Sequence, residues 1–110
     1  MGAEGRYLLH GASTWFYSDG RKQWEVTYRD GVKVGVETYW SPDGSKRWMW
    51  ERRPDGSAVW TQWWPNGQMK SASGWRLGRA VGTARRWDSS GKLTTERKFE
   101  AGHARDRSPQ

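Results

Sequence analysis

Residues that could carry out chemistry are few in this chain. It has two histidines, His10 and His103, near opposite ends. A lone surface or terminal histidine accounts for each better than a general base does. There is no cysteine, which excludes thiol catalysis, a disulfide framework and a zinc ribbon. Asp19, Asp30, Asp43 and Asp55 recur like a motif, but the spacing of a calcium-binding EF-hand loop is missing. Gly31-x-x-x-Gly35 is not followed by Gly-Lys-Ser/Thr, so it is no phosphate loop. No His, Cys and carboxylate cluster has metal-ligand spacing. The expectation is a protein without catalytic centre, metal or cofactor.

What does recur is aromatic and cationic. The chain of 110 residues has ten Trp, four Tyr and two Phe beside 19 Lys and Arg, for a net charge of +7. Only 12 residues are Leu, Ile, Val or Phe, and there is no Ile. Low aliphatic content with high charge usually signals disorder. Trp and Tyr each bury roughly 150–250 Å², so these rings can order the chain if they find partners. The charge is uneven. Residues 1–67 balance to +1 and residues 68–110 to +6. The N-terminus has no apolar run of signal-peptide length, and no segment approaches a membrane helix. A single cytoplasmic domain is expected.

The elements that must position the rings are marked by glycines. Gly20, Gly44, Gly67 and Gly91 form one series with a step near 24; Gly31, Gly56, Gly78 and Gly102 form another. A fixed period of this length means a repeat protein. Asp or Asn precedes Gly20, Gly31, Gly44, Gly56 and Gly67, and such pairs supply the φ > 0 positions of a two-residue type I′ turn. The 9–11 residues between turns are rich in Trp, Tyr, Val and Thr and too short for repeated helices. The expected fold is therefore all-β: an elongated single-layer antiparallel sheet of repeated hairpins. About four units of 22–25 residues fill residues 7–102. Residues 1–6 are an N-terminal segment and 103–110 a disordered tail.

Aligning the first series exposes columns. Four residues before each glycine stand Phe16, Trp40, Trp63 and Trp87; nine before stand Gly11, Gly35, Ala58 and Gly82. Two-residue turns would place Trp15 opposite Trp24 and Tyr39 opposite Trp48. On the other face they would place Trp40 opposite Arg47 and Trp63 opposite Lys70, with cations beside rings. The column has two readings: a structural spine of stacked rings, or a binding surface.

The unit G-x-x-x-G-x-x-x-[WY]-[FW]-x-x-x-G resembles a MORN repeat in the variant form found in bacterial proteins. The clearest copy runs from Gly31 through Gly35, Tyr39 and Trp40 to Gly44. A second runs from Gly78 through Gly82, Arg86 and Trp87 to Gly91, and the third unit is the most degenerate. The likeness covers nearly the whole chain, about residues 7–102. It implies a scaffold with an aromatic-lined groove. Bacterial members of the variant family are often antitoxin- or immunity-like, and other MORN proteins are associated with protein assembly or acidic lipids.

Two surfaces are candidates for binding. One is the ring surface with its neighbours: Trp40, Trp63, Trp64, Trp87 and Arg47. The other is the basic strip Lys70, Arg76, Arg79, Arg85, Arg86, Lys92, Arg97 and Lys98. Trp, Tyr and Arg are the residues enriched at interface hot spots. The leading expectation is a non-enzymatic module that engages a protein partner as an inhibitor, antitoxin or immunity-type protein. The alternative is a nucleic-acid or nucleoprotein accessory using the strip within residues 68–110. Contact with an anionic membrane is a weaker third option. Open edges would also let two chains pair as a homodimer.

Overall fold

The computed structural model describes residues 9–100 and 103–105. They form one antiparallel sheet of nine strands in chain order, each paired with its sequence neighbours. The strands are β1 (Gly11–Phe16), β2 (Lys22–Arg29), β3 (Val32–Trp40), β4 (Lys46–Arg52), β5 (Ser57–Trp63), β6 (Met69–Arg76), β7 (Arg79–Trp87), β8 (Leu93–Glu100) and β9 (His103–Arg105). The molecule measures 55 × 36 × 18 Å with a radius of gyration of 17.0 Å. A compact chain of this length would have roughly 13 Å. The hairpin expectation holds, and no helix among the described residues is long and apolar enough to cross a membrane. His103–Arg105, placed in the tail by sequence, pair with Lys98–Glu100, because β8 offers them an open row of backbone groups. Residues 1–8, 101–102 and 106–110, including the proposed N-terminal segment and most of the proposed tail, lie outside the described residues.

The turns differ from the expected type, and the difference resets the register. On one long side of the sheet the Gly20, Gly44, Gly67 and Gly91 turns share one geometry. In each, the glycine N–H donates to the carbonyl three residues back, and the residue at that position donates to the carbonyl four ahead, as in Tyr17 N–H to Arg21 O at 2.8 Å. The glycines have φ of 90–94°, while the Asp, Asn or Ser before them does not have positive φ. This is a three-residue loop, a type I turn closed by a glycine bulge. Pro42 and Pro65 favour this choice in the Gly44 and Gly67 turns, as Pro54 does before Gly56; Ser18 and Ser89 hold the same place in the other two. Proline fits the first central position of a type I turn, and it has no N–H for the strand-end bond a two-residue loop would need. The Asp or Asn side chain then accepts the N–H two residues on, as Asp43 does from Ser45 at 2.9 Å.

The bulge shifts pairing by one residue beside each of these turns. Trp15 still opposes Trp24 and Tyr39 still opposes Trp48, but Trp40 opposes Lys46 and Trp63 opposes Met69. The expected partners Arg47 and Lys70 are displaced by that extra loop residue.

The opposite long side is not uniform. Asp30-Gly31 and Leu77-Gly78 are true type I′ turns, with φ of 51° and 81°, and 50° and 81°. Gly56 instead repeats the three-residue loop. The strands that follow the type I′ turns, β3 and β7, are the nine-residue ones and carry bulges. Three residues, 35–37, face the single Val26, and 82–84 face Ser73. Gly35 and Gly82 supply the left-handed residue each bulge needs (φ 66° and 72°). The third unit has neither glycine, and β5 pairs with β4 without a shift.

Residues opposite one another on a ladder share a face. Register therefore sorts the rings into two sets. One face, the ring face, carries Trp15, Trp24, Tyr39, Trp48, Trp50, Trp60 and Trp75. Ring centroids are 4.4 Å apart for Trp15–Trp24, 5.6 Å for Tyr39–Trp48, 5.4 Å for Trp48–Trp60, 4.8 Å for Trp50–Trp60 and 6.3 Å for Trp50–Trp75. The spine thus lies here and not in the Phe16 column.

A buried carboxylate joins the two groups of stacked rings. Glu37, with 2% of its surface exposed, accepts Trp24 Nε1 at 2.7 Å, Arg52 Nη1 at 2.8 Å and Lys33 Nζ at 3.2 Å. Lys33 also lies 5.3 Å over the Trp24 ring, and Arg52 lies 5.5 Å over Trp50. Beside it, Val26 is the one fully buried apolar side chain among the described residues.

Burial pushes the Glu37 carboxyl up, but the bonds from Arg52, Trp24 and Lys33 outweigh it and hold the carboxyl below its ordinary 4.5. The turn carboxyls Asp43, Asp55 and Asp88 are lowered first by the hydroxyls of Ser41, Ser57 and Ser90. A carboxyl lowered in the folded state binds its proton more weakly than in the unfolded state. Its stabilisation is full above the unfolded value and is lost as pH falls through the folded one. Urea midpoints measured from pH 7 downward are thus expected to hold until about pH 5 and then drop. Glu37→Gln should lower stability at pH 7 by about 2–3 kcal/mol and make the acid drop shallower. Leu77→Asn is expected to stabilise the fold by about 0.5–1 kcal/mol, because Leu is strained at φ > 0 and Asn is not.

Candidate functional site

The column face carries the residues singled out by sequence. Phe16, Trp40, Trp63 and Trp87 each stand at the end of a strand, beside one of the four like turns. No ring–ring contact joins them among the described residues. Lysines separate them instead. Lys22 Nζ lies 5.8 Å from the Trp40 ring centre, and Lys46 Nζ lies 5.8 Å from that of Trp63. Each cation therefore reaches the ring of the next unit. The series lapses where Met69 and Leu93 take the lysine position, and both are exposed.

Turn side chains tie consecutive units along this side. The Tyr17 hydroxyl donates to Trp40 O at 2.7 Å, and Trp64 Nε1 donates to Trp87 O at 3.1 Å. Asn66 Nδ2 donates to Ser89 O at 2.7 Å. Trp64 is thus a bracing residue, and Lys70 Nζ lies 4.7 Å over its ring. Trp40 and Trp63 are thus flanked by cations, while Tyr17 and Trp64 are tied to the backbone of Trp40 and Trp87.

Arg47 belongs to the same face, half-buried, one residue beyond Lys46. Its Nε is shielded from water and has no hydrogen-bond partner among the described residues. A buried donor left unmade costs about 1–3 kcal/mol. Fully exposed cations would carry no such penalty.

The basic strip is not one surface. Register puts Lys70, Arg76, Arg79, Arg85 and Lys98 on the column face, but Arg86 and Arg97 on the ring face. Arg76 and Arg79 oppose each other across the Leu77-Gly78 turn, an unfavourable like-charge pair. Arg85 is committed to Glu96 at 2.7 Å. Few rings accompany these cations, since the stacked rings lie on β1–β6. Comparisons with protein-family models, curated proteins and solved structures return no match. The MORN-like pattern therefore stands on the residues that carry it.

Sequence reasoning missed Glu37 and its partners Lys33 and Arg52. A signal was present: the position seven before each glycine reads Ser13, Glu37, Trp60 and Ala84, and alternation places it on the face of Trp15 and Tyr39. A carboxylate there has to be paired. Metal binding has no support from geometry, as no group of three His, Asp or Glu could hold an ion among the described residues.

The two faces differ in their response to truncation. Trp60→Ala, removing the ring that touches both Trp48 and Trp50, should cost about 3–4 kcal/mol in urea denaturation. Trp87→Ala, at a position without ring contacts, should cost about 1 kcal/mol.

Proposed function

We propose that the chain is a non-enzymatic binding module whose column face engages a protein partner. The observation that supports it most is the state of that face. Phe16, Trp40, Trp63 and Trp87 repeat along one side of an open sheet, with lysines over Trp40 and Trp63, and they stack on no other ring among the described residues. Arg47, with its unpaired Nε, stands among them. Preset rings beside guanidinium groups are what protein hot spots use, because little side-chain entropy is lost on docking. The net charge of +7 favours an acidic partner surface and would speed encounter. The resemblance to bacterial MORN-variant repeats adds the role: inhibitor, antitoxin or immunity-type protein.

Binding of single-stranded nucleic acid through the basic strip has less support. Bases stack on open rings interleaved with cations. Here the stacked rings are occupied by one another, and the C-terminal cations divide between two faces.

Affinity capture on the immobilised chain, with and without nuclease, separates the two. The expected result is a discrete protein retained after nuclease and lost from Trp40→Ala/Trp63→Ala. The folded state of that variant is to be checked by circular dichroism. Retention of nucleic acid alone, with affinity falling steeply with salt, would contradict the proposal.

A further inference from the structure

A second site lies on the other long side of the sheet, between the turns at Gly31, Gly56 and Gly78. A groove of about 620 Å³ opens there. Its apolar walls include Val32, Val34, Pro54 and Leu77, and its cations are Arg29, Lys33, Arg52 and Arg53. Among the described residues, no Asp or Glu lines it.

Three independent features single this groove out. Leu77 and Val32, at 79% and 63%, are the two most exposed large apolar side chains among the described residues, and both line it. Leu77 also holds φ of 50°, where its counterpart in the other type I′ turn is Asp30. A leucine there is strained, exposed and replaceable by a better turn residue, a combination that stability does not explain. It closes over the neighbouring turn: its N–H donates to Gly56 O at 3.2 Å, and its Cδ2 would meet a Cβ on Gly56 at 3.0 Å.

The charges show the same imbalance. Lys33 and Arg52 are paired with Glu37 beneath the surface. Among the described residues, Arg29 and Arg53 have no hydrogen-bond or ion-pair partner for their side chains. One turn carboxylate beside the groove, Asp55, is engaged by Ser57 N–H at 2.8 Å and Ser57 Oγ at 2.6 Å.

We infer that this groove binds an acidic segment of a partner protein, with one large apolar side chain seated between Val32, Pro54 and Leu77 and flanking carboxylates on Arg29 and Arg53. Charge complementarity fixes the occupant: unpaired guanidiniums on both arms of an apolar slot select carboxylates spaced around a hydrophobic residue. Arg29 and Val32 pair at the opposite end of the strands from Trp40 and Trp63, so the groove stands or falls separately from the column rings.

Fluorescence anisotropy with a labelled peptide Asp-Glu-Phe-Glu-Asp tests the inference on the full chain. Controls are Asn-Gln-Phe-Gln-Asn, Asp-Glu-Ser-Glu-Asp and a ten-residue oligothymidylate. The acidic apolar peptide should bind saturably and at least about tenfold more tightly than each control. Arg29→Ser/Arg53→Ser should weaken it about tenfold, as expected for two charge-assisted contacts. Leu77→Asn should weaken it several-fold while its melting temperature rises, which excludes misfolding as the cause. Trp40→Ala/Trp63→Ala should leave it unchanged. No saturable binding, equal binding of the Ser-centred or neutral peptide, preference for the oligonucleotide, or full affinity in Arg29→Ser/Arg53→Ser would overturn the inference.

Discussion

The hydrogen bonds to the Glu37 carboxylate are the constraint on which the rest of this sheet depends. A one-layer sheet has no second layer to cover its rings, so they must cover each other. Glu37 makes that arrangement continuous. It binds the indole of Trp24 from β2 and the cations of β3 and β4, and those cations lie over Trp24 and Trp50. A buried carboxylate is costly unless paired, and its loss would leave two cations facing the rings without a counter-charge. The same network fixes Lys33 and Arg52 at the floor of the groove. One interaction thus links the ring stack, the bulge that brings Glu37 inward and the cationic lining of the turn side.

The division of labour between the faces follows from this. Rings on one face are satisfied by rings. On the other face, lysines of the preceding unit lie by Trp40 and Trp63, and Tyr17 and Trp64 tie to the carbonyls of Trp40 and Trp87. The first arrangement consumes its aromatic surface and serves stability. The second leaves ring surface open beside Arg47, which is why the column face carries the proposed function. Low aliphatic content is then no paradox, because indole and lysine stems fill the space that Leu and Ile occupy in a layered fold.

Much of the fold was legible in the sequence because glycine spacing encodes it directly. The hairpin order and the Trp15–Trp24 and Tyr39–Trp48 pairs follow from the turns alone. The turn type was misread from the Asp-Gly pairs, although Pro42, Pro54 and Pro65 already argue against a two-residue loop. That one-residue difference moved Trp40 from Arg47 to Lys46 and Trp63 from Lys70 to Met69. The steps of 13 residues between Gly31 and Gly44, and between Gly78 and Gly91, contained the bulges without naming the face they would reorient. Glu37 and the groove were not legible as sites. Both depend on residues from three or more strands and turns meeting in space, and period-two patterning reports only the face of each.

The account rests on Glu37 as the joint of the ring stack, and the most direct test is a double-mutant cycle on Glu37 and Arg52. Urea denaturation at pH 7 would be measured for Glu37→Gln, Arg52→Met and the double variant. The account predicts that each single change destabilises by about 2–3 kcal/mol and that the double costs little more than either alone, a coupling of at least about 1 kcal/mol. Additive losses, or a Glu37→Gln protein as stable as the original, would contradict it.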